Sequence, residues 1–462
     1  MNHPKFSIFY EYADERGGSS TGEKRFRRRK PRFSKSRRRP RPGRGGGGGG
    51  KRFREDKPFI PKANGESESS WDAPRSLVLP EISEDELFSP DDPGHTVEGV
   101  VELTPKGFGF LREQKKVFQS HPDDAFIPLA MVRKFSIREG MLISGEAKKA
   151  PRGPQLYKIN SINGGDPSSV ERLPLFEELT CLTPETRLKL ETVADRTTTR
   201  VIDLITPIGK GQRGLIVAPP RTGKTTLLQH IAEAITKNHK DVHLMLLLVD
   251  ERPEEVTEFR QVLPDAELWA SSNDSDVKSH IRIAHLAIER AKRLVEQGKD
   301  VFMLLDSITR LGRAFNNAMR GSGRTLSGGM EARALEVPRR LFAAARQTEE
   351  GGSLTIVATA LVETGSRMDE LIFQEFKGTG NLELVLDRRI AEHRVYPAVD
   401  IFRSGTRREE LLVPDHELDK ISVIRRGLAG HKPMEGLERL LYFVHKFPTN
   451  SQMLQEIPGF SA

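Results

Sequence analysis

The chain has 462 residues, which is enough for two or three domains with sizeable apolar cores. Its single cysteine excludes a disulfide framework and a cysteine-based zinc site, and no apolar run approaches the roughly 18 residues that cross a bilayer. The formal net charge of +8 is unevenly distributed. We therefore expect a soluble cytoplasmic protein with no membrane partner, in which Cys181 is a small packed side chain.

Residues 1–94 are polar and rich in Arg, Gly, Ser and Pro, which predicts a disordered arm. Between residues 24 and 62, 18 Lys and Arg residues stand against two acidic ones. Such a segment is typical of polyanion binders, and its four interspersed phenylalanines could stack on bases. Nucleic acid is the expected partner, and a solubilising tail is the alternative. Residues 63–95 form an acidic linker that could contact the arm when RNA is absent.

Residues 95–165 contain five short apolar stretches separated by turn residues, a pattern typical of an OB-fold or cold-shock-like barrel. In the stretch GFGFLR, the alternation of a strand places both phenylalanines and the arginine on one face. Two rings and a cation predict a stacking platform for single-stranded RNA, although the rings could equally belong to the core. The candidate RNA-binding residues here are Phe108, Phe110, Arg112, Asp124 and Phe126.

Residues 166–200 predict a connector of short helical and turn segments without recognisable chemistry. From residue 201 to residue 462, apolar strands alternate with amphipathic helices, which predicts a parallel α/β domain. The pattern ends in a helical segment after Leu412. Further elements are predicted as strands at Leu244–Val249, Asp300–Asp306, Leu354–Val362 and Leu382–Leu386 and as a helix at Val277–Gly298.

The first strand of this domain runs directly into a phosphate-binding loop. The stretch Gly214 to Thr226, GLIVAPPRTGKTT, matches the P-loop pattern except that Ala218 replaces the usual first glycine. Gly223 lets the backbone approach a phosphate, Lys224 neutralises phosphate charge, and the Thr225 hydroxyl suits Mg²⁺. A strand, loop and helix in this order favour binding of ATP with Mg²⁺ over a chance Gly-Lys-Thr turn.

Two later strands end in carboxylates, which P-loop enzymes need. Asp306 is the expected second partner of Mg²⁺, and a cap of the following helix is the alternative. Glu251 is the best candidate to position the attacking water, because we expect its strand to neighbour the P-loop strand. Glu363, at the end of another strand, is a weaker rival.

Two polar loops could contact a phosphate backbone, although a solvated connector is the alternative for each. The first carries Arg324 and Thr325, and the second, ETGSRMDE, carries Arg367. An arginine that stabilises the transition state is also expected. The residues alone leave four candidates for it: Arg394, Arg403, Arg407 and Arg408.

Taken together, these motifs closely resemble the bacterial transcription termination factor Rho family over roughly residues 96–450. The resemblance rests on GFGFLR, PIGKGQRGLIVAPPRTGKTTLLQ, DERPEEVTE, LLDSITRL, GGSLTIVATALVETGSRMDE, EFKGTGNLEL and FRSGTRREELL, in the family's order. It implies a RecA-like P-loop ATPase domain after an OB-fold barrel, assembled as a homohexamer in the bacterial cytoplasm. It also implies an RNA-dependent ATPase and helicase that releases RNA from RNA polymerase.

The resemblance further implies roles at the nucleotide site. Glu251 matches the catalytic glutamate, Arg252 an arginine that links the nucleotide to a neighbouring subunit, and Arg407 the arginine finger of that neighbour. Tyr396 falls where a ring stacks on adenine. The predicted nucleotide-site residues are therefore Gly223, Lys224, Thr225, Thr226, Glu251, Arg252, Asp306, Tyr396 and Arg407.

For RNA, the loop from Ser322 to Gly329 matches the family's Q-loop and Thr364 to Arg367 its R-loop, both of which grip RNA in the central channel. Arg324 and Arg367 stand where lysine is common, which changes the geometry of a phosphate contact. The barrel residues match a primary site that prefers cytidine-rich strands. The barrel is not expected in another kind of RecA-like ring motor. The carboxylates Glu251 and Asp306 are not expected in a non-catalytic RNA-binding protein.

Overall fold

A computed structural model gives the fold of most of the chain. It describes residues 94–151, 153–168, 173–319, 329–331 and 333–457. The predicted basic arm, the acidic linker before residue 94, and both Arg324 and Thr325 lie outside the described residues. The described part forms a closed barrel followed by an α/β domain, which confirms the predicted fold class. None of the helices in these ranges is long and apolar enough to cross a membrane.

The barrel is built from five strands, as predicted, and closes in the order β1-β2-β3-β5-β4. Alternating apolar residues such as Val101, Ile127 and Leu156 fill its interior. The elements of the barrel are β1 (His95–Leu103), β2 (Gly109–Arg112), a 3₁₀ turn (Gln114–Lys116), β3 (Phe126–Ile127), α1 (Leu129–Lys134), β4 (Leu142–Ala150) and β5 (Gly153–Ile162).

The α/β domain contains every strand and helix that the sequence predicted, and their ends agree within two residues. Its strands are β6 (Cys181–Leu182), β7 (Arg187–Leu188), β8 (Ile208–Gly209), β9 (Arg213–Ala218), β10 (Val242–Glu251), β11 (Glu267–Ser272), β12 (Asp300–Asp306), β13 (Arg346–Thr348), β14 (Ser353–Leu361), β15 (Leu382–Val385) and β16 (Gly405–Thr406). Its helices are α2 (Thr197–Ile205), α3 (Lys224–Asn238), α4 (Pro253–Val262), α5 (Val277–Glu296), α6 (Ile308–Ala318), α7 (Glu336–Ala343), α8 (Arg367–Lys377), α9 (Arg388–Glu392), α10 (Asp415–Leu428), α11 (Pro433–Lys446) and α12 (Asn450–Glu456), with 3₁₀ turns at Phe176–Glu178 and Glu409–Leu411.

The main sheet runs in the order β11-β10-β12-β14-β9-β15-β16. All neighbours along this path are parallel except β16, which is antiparallel to β15. Two strands, β12 and β14, therefore separate β10 from the P-loop strand β9. The prediction that the Glu251 strand neighbours the P-loop strand is wrong, because the order of parallel strands is fixed by the crossovers and not by proximity along the chain.

The central strands are buried on both faces because helices cover the sheet on each side. Ile216, Leu246 and Leu304 face a core shared with α2, α3 and the last three helices. The alternate residues of the same strands, such as Val217 and Leu247, face a second core shared with α5 to α8. Helix α3, which follows the phosphate-binding loop, and helix α6, which follows Asp306, therefore both begin at the C-terminal ends of the parallel strands. They cover opposite faces of the sheet.

The barrel docks on the edge strand β11 and on α5. The ring of Phe118 stacks on Trp269, with 3.6 Å between the centroids and 9° between the planes. The side chain of Gln119 donates to the carbonyl of Ala270 at 2.5 Å.

The connector contributes β6, β7 and the first turn of α2. Cys181 lies in β6 and is exposed, so the expectation that its side chain is packed is wrong. A two-residue strand at the margin of the sheet leaves its side chains in solvent.

Candidate nucleotide site and RNA-binding surfaces

The phosphate-binding loop joins the buried end of β9 to the first residue of α3. Gly223 has a φ of 81°, a left-handed conformation that glycine adopts at no steric cost. A Cβ added there would meet the ring of Tyr396 at 3.4 Å. The hydroxyl of Thr222 donates to the carbonyl of Pro219 at 2.8 Å and closes the loop. The loop therefore presents its backbone N–H groups and the N-terminus of α3 at the end of the sheet.

Lys224 lies against the carboxylate that ends β12. Its Nζ donates to both carboxylate oxygens of Asp306, whose side chain is only 1% exposed. Thr359 on β14 donates its hydroxyl to Asp306 Oδ1 at 2.6 Å and fixes the orientation of the carboxylate. Asp306 does not cap α6, because Ser307 accepts the capping hydrogen bond from the Arg310 backbone N–H at 3.2 Å. The capping alternative for Asp306 is thereby excluded.

Glu251 reaches the same site although two strands, β12 and β14, lie between its strand β10 and the P-loop strand β9. Its Oε1 lies 3.5 Å from Lys224 Nζ, and its side chain is 1% exposed. The β10–β11 register shifts between Val249 and Glu251, and Asp250 takes a left-handed φ of 57°. Such a bulge re-aims the next side chain. Burial, together with the negative charge of Asp306, raises the pKa of Glu251 to about 7.

Arg310 belongs to this cluster and was missed by sequence reasoning. Its Nε lies 3.3 Å from Glu251 Oε1, and its Nη1 donates to the carbonyl of Asp250. Arg310 lies in the first turn of α6, so it points back toward the strand ends. The available signal was its position in LLDSITR, four residues after Asp306. Its contacts clamp the bulge that orients Glu251.

The oxygen ligands expected for Mg²⁺ are Asp306 and Thr225. Thr225 Oγ1 donates to Glu255 Oε2 at 3.4 Å. Within the described ranges, no three His, Cys, Asp or Glu side chains form a cluster that could hold a metal alone. Mg²⁺ in nucleotide sites takes one or two protein oxygens and completes its shell with water and phosphates. A hydroxyl and a buried carboxylate in a site with surplus negative charge therefore fit the ion.

The remaining residues predicted near the nucleotide are on the surface. Tyr396 is 47% exposed, and its ring lies beside Gly223. Thr226 and Arg252 are exposed, so both can reach a ligand or a second subunit. Glu363 is also exposed, and it has a left-handed φ of 55° after β14. The buried and clustered Glu251 is accordingly the better placed of the two carboxylates.

Arg407 lies away from the phosphate loop of its own chain. It follows β16, whose Thr406 pairs with Leu382, and Leu382 pairs in turn with Gly214 at the start of β9. The phosphate loop follows the other end of β9, which is about 13 Å further along the strand. Arg407 is exposed and lines a polar pocket. One chain alone does not bring Arg407 to Lys224.

The three phenylalanines of the barrel form a continuous outer surface, called the platform below. The ring centroids of Phe108, Phe110 and Phe126 lie 5.4 to 5.9 Å apart. The rings are half-buried and lie outside the barrel core, so the core alternative is excluded. The guanidinium of Arg112 lies 5.0 Å from the Phe110 centroid. Stacking surface and positive charge are therefore adjacent.

Arg112 is held by two acidic residues. Its Nη1 donates to Asp124 Oδ2 and its Nε to Glu102 Oε2, both at 2.5 Å. Asp124 is buried, so its part is to hold Arg112 in position. Glu102 Oε2 also accepts from Arg282 Nη1 of α5 at 2.9 Å. The platform is thus joined to the α/β domain through one carboxylate.

The two candidate RNA loops follow strand β14 and helix α6, the helix that comes after the neighbouring strand β12. Arg367 is exposed at the first position of α8, after β14. Behind it, Asp369 accepts from the Thr364 hydroxyl at 2.5 Å and from Arg313 of α6. The other loop follows α6, where Asn316 donates to the carbonyl of Gly329 at 3.0 Å. Helix α6 therefore contacts the supports of both loops and also carries Arg310.

Comparison with known proteins gives two matching family models. Residues 97–168 match the RNA-binding domain of the Rho termination factor. Residues 198–406 match the nucleotide-binding domain of the ATP synthase alpha/beta family. The first match covers the barrel with the platform, and the second covers the P-loop, both site carboxylates and β16.

Whole-chain relatives are similar over most of their length. The transcription termination factor Rho of Aquifex aeolicus is 50% identical over 366 residues, which cover 78% of this chain and 84% of that protein. The protein of the same name from Pseudomonas fluorescens biotype C is 51% identical over 358 residues, 76% of this chain and 84% of that protein. Among solved structures, an ATP synthase subunit NeqB from Nanoarcheaum equitans aligns with a TM-score of 0.51 at 15% identity, over 60% of this chain and 76% of that one. This last likeness concerns the fold alone.

Proposed function

The chain belongs to the transcription termination factor Rho family, and from that premise we propose that it uses RNA-stimulated ATP hydrolysis to move along nascent single-stranded RNA and release it from RNA polymerase. The observation that supports this proposal is the combination, in one chain, of Lys224 paired with the buried carboxylates of Asp306 and Glu251 and an aromatic platform outside the barrel core.

At the nucleotide site, each residue has a distinct task. Gly223 and the N-terminus of α3 bind phosphate oxygens, and Lys224 neutralises their charge. Thr225 and Asp306 would hold Mg²⁺, which would stabilise negative charge on the phosphates. Glu251 accepts a hydrogen bond from the attacking water, because its buried carboxylate is oriented by Arg310.

Other residues hold the adenine and complete the site from a neighbouring subunit. Tyr396 stacks on the adenine, since its exposed ring lies beside the phosphate loop. Arg407 acts as a finger on the nucleotide of the next subunit in a homohexamer, and Arg252 links the two subunits. The position of Arg407, far from the P-loop of its own chain, supports this arrangement.

RNA contacts the chain at two places. The platform with Arg112 stacks bases of the incoming strand. Arg367, together with Arg324 and Thr325, grips the phosphate backbone in the channel of the ring. Asp124 takes part by holding Arg112.

We assign these tasks to four segments of the chain. Residues 1–94 form the basic arm with its acidic linker, residues 95–165 the RNA-binding domain, residues 166–200 the connector and residues 201–462 the ATPase and translocase domain. The whole acts in the bacterial cytoplasm.

The test is ATP hydrolysis by the full chain with and without poly(C), with Lys224→Ala as the background. Strong stimulation by RNA supports the proposal. A rate of ATP hydrolysis that is the same with and without RNA would instead favour another kind of ring motor. Binding of poly(C) without any ATP hydrolysis would indicate a non-catalytic RNA-binding protein.

A further inference from the structure

The end of β10 that carries Glu251 is held by β11. The pairing of β10 with β12 ends at Leu248. Beyond that point, the pairings that the structure describes for β10 are all with β11: Val249 pairs with Ser271, and the backbone N–H of Asn273 donates to the carbonyl of Glu251 at 2.9 Å. A bulge leaves its extra residue unpaired, so the position of Glu251 depends on how firmly β11 is itself held.

Ser271 of β11 is tied to helix α5 through His280. A hydrogen bond of 2.8 Å joins Ser271 Oγ to His280 Nδ1. Both residues are buried, with 0% and 6% of their surface exposed. His280 lies near the start of α5. This contact therefore fixes the strand that pairs with the end of β10 to the helix that packs on it.

The surrounding hydrogen bonds decide which of the two partners donates. Gln119 Nε2 donates to the carbonyl of Ala270, so the amide oxygen of Gln119 accepts, and the Ser279 hydroxyl donates to it at 3.2 Å. A hydroxyl has a single proton, so Ser279 then accepts from the Ser271 hydroxyl, also at 3.2 Å. Ser271 has thereby used its own proton, and its oxygen accepts from Nδ1 of His280.

The ring of His280 is neutral at neutral pH. Burial lowers the pKa of this histidine, the charges of Asp250 and Asp276 oppose that shift, and the charge of Arg310 adds to it. A neutral imidazole has one donor and one acceptor, so the proton is on Nδ1 and Nε2 is the acceptor. The bulged Asp250 and its clamp Arg310 are thus among the charged groups around the ring.

We propose that His280 is a positioning residue for Glu251, which donates from Nδ1 to Ser271 and so fixes the strand end that carries the carboxylate. This inference rests on the proposed function, because that function assigns the attacking water to Glu251. Arg310 clamps the bulge directly, whereas His280 acts through β11. A looser strand end would misplace the carboxylate, and a displacement of about 1 Å can lower a rate about 100-fold.

The experiment measures ATP hydrolysis by the full chain with poly(C), together with ATP affinity by nucleotide titration. His280→Leu removes the donor and keeps most of the bulk, so kcat should fall about 10- to 100-fold. ATP affinity should stay within about twofold of the wild type, because the phosphate loop on β9 binds the nucleotide. His280→Asn should keep kcat within about threefold of the wild type, because its amide can donate to Ser271.

Ser271→Ala tests the other end of the hydrogen bond and should lower kcat in the same way. The double variant Ser271→Ala/His280→Leu should turn over no more slowly than His280→Leu, since both substitutions remove the same interaction. The matched control is His285→Leu on the same helix, where 47% of the histidine side chain is exposed. This control should keep the kcat of the wild type.

Four results would each overturn the positioning role: wild-type kcat in His280→Leu, an equal loss in His285→Leu, no rescue by His280→Asn, or additive losses in the double variant. A joint loss of kcat and ATP affinity in His280→Leu would also overturn it, because general damage to the fold lowers both. The proposed function fails separately, if the wild-type chain does not hydrolyse ATP in the presence of RNA.

Discussion

Arg112 of the barrel and Arg282 of helix α5 donate to the same atom, Oε2 of Glu102, at 2.5 and 2.9 Å. Arg112 lies against the platform, whereas Arg282 belongs to the domain that carries the nucleotide site. RNA phosphate near Arg112 would compete with Glu102 for the guanidinium. A weaker Arg112–Glu102 pair would change the balance of charge on Arg282, so we expect RNA binding at the platform to affect α5 through this one carboxylate.

Arg282→Ala should separate RNA binding from RNA stimulation. We expect the maximal RNA-stimulated turnover to fall about fivefold or more, because coupling between sites of this kind amounts to about 1 to 3 kcal/mol. RNA affinity and turnover without RNA should remain close to those of the wild type. The measurement is ATP hydrolysis as a function of RNA concentration. Lys278→Ala, an exposed cation on the same helix, is the control, and equal losses in both variants would exclude a specific coupling.

The pH dependence of turnover should report Glu251. Burial and the charge of Asp306 raise its pKa to about 7, and only the deprotonated carboxylate can accept a hydrogen bond from water. The kcat/KM for ATP should therefore rise with pH through about 7 and level off above it.

A second carboxyl with a raised pKa supplies the control for this profile. Burial and repulsion by Glu289 raise the pKa of Glu139 to about 7, but Glu139 lies at the junction of the barrel with α5. Glu139→Gln should keep the profile, whereas Glu251→Gln should leave negligible turnover. A flat profile between about pH 6 and about pH 8 would remove Glu251 from the role.

Arg407→Ala should abolish turnover and spare ATP binding, because we propose that the arginine acts on the nucleotide of another subunit. Mixing Arg407→Ala chains with Lys224→Ala chains should then restore part of the activity, since some interfaces combine an intact P-loop with an intact finger. The measurement is ATP hydrolysis across a series of mixing ratios. Arg408→Ala, the adjacent exposed arginine, is the control. Retained turnover in Arg407→Ala would refute the finger assignment.

Tyr396→Ala should weaken ATP binding by about tenfold, which is within the range of one lost base–aromatic stack. Tyr396→Phe should bind as the wild type does, because the proposed contact is made by the ring and not by the hydroxyl. Nucleotide titration of the full chain measures both. Tyr442→Ala removes another exposed tyrosine, distant from the P-loop in sequence, and should have no effect. Equal affinities of Tyr396→Ala and wild type would leave the adenine contact unassigned.

The basic arm should broaden RNA binding and make it more dependent on salt. Each phosphate that the arm neutralises adds to the slope of log K against log salt. We therefore expect a steeper slope for the full chain than for residues 95–462 in binding titrations over a series of salt concentrations. Identical slopes for the two proteins would contradict a role for the arm in RNA binding.

The sequence predicted those features that depend on neighbouring residues along the chain. The P-loop, the barrel strands and the shared face of Phe108 and Phe110 follow from local spacing, and the structure has all of them. Local spacing left open whether that face points outward or into the core, and the structure shows that it points outward. The position of Glu251 beside Lys224 was predicted for a wrong reason. Its strand is not adjacent to β9, and a bulge at Asp250 brings the carboxylate to the site.

Other parts of the site depend on contacts that no local pattern encodes. Arg310 reaches Glu251 only because α6 starts beside the end of β10. The hydrogen bond between Ser271 and His280 lies beside the bulge only because β11 pairs with the end of β10. Such relationships follow from strand order and register, which the crossovers and the core decide together.

The docking of Phe118 and Gln119 on β11 has a further consequence for how the two domains can be separated. Among the residues that the structure describes, β11 is the outermost strand of the sheet and pairs with β10 alone. Gln119 satisfies one of its free carbonyls, and the ring of Phe118 covers Trp269. An uncovered strand edge is a template for self-association. The barrel therefore also covers the exposed edge of β11. The α/β domain expressed without the barrel should aggregate through this strand.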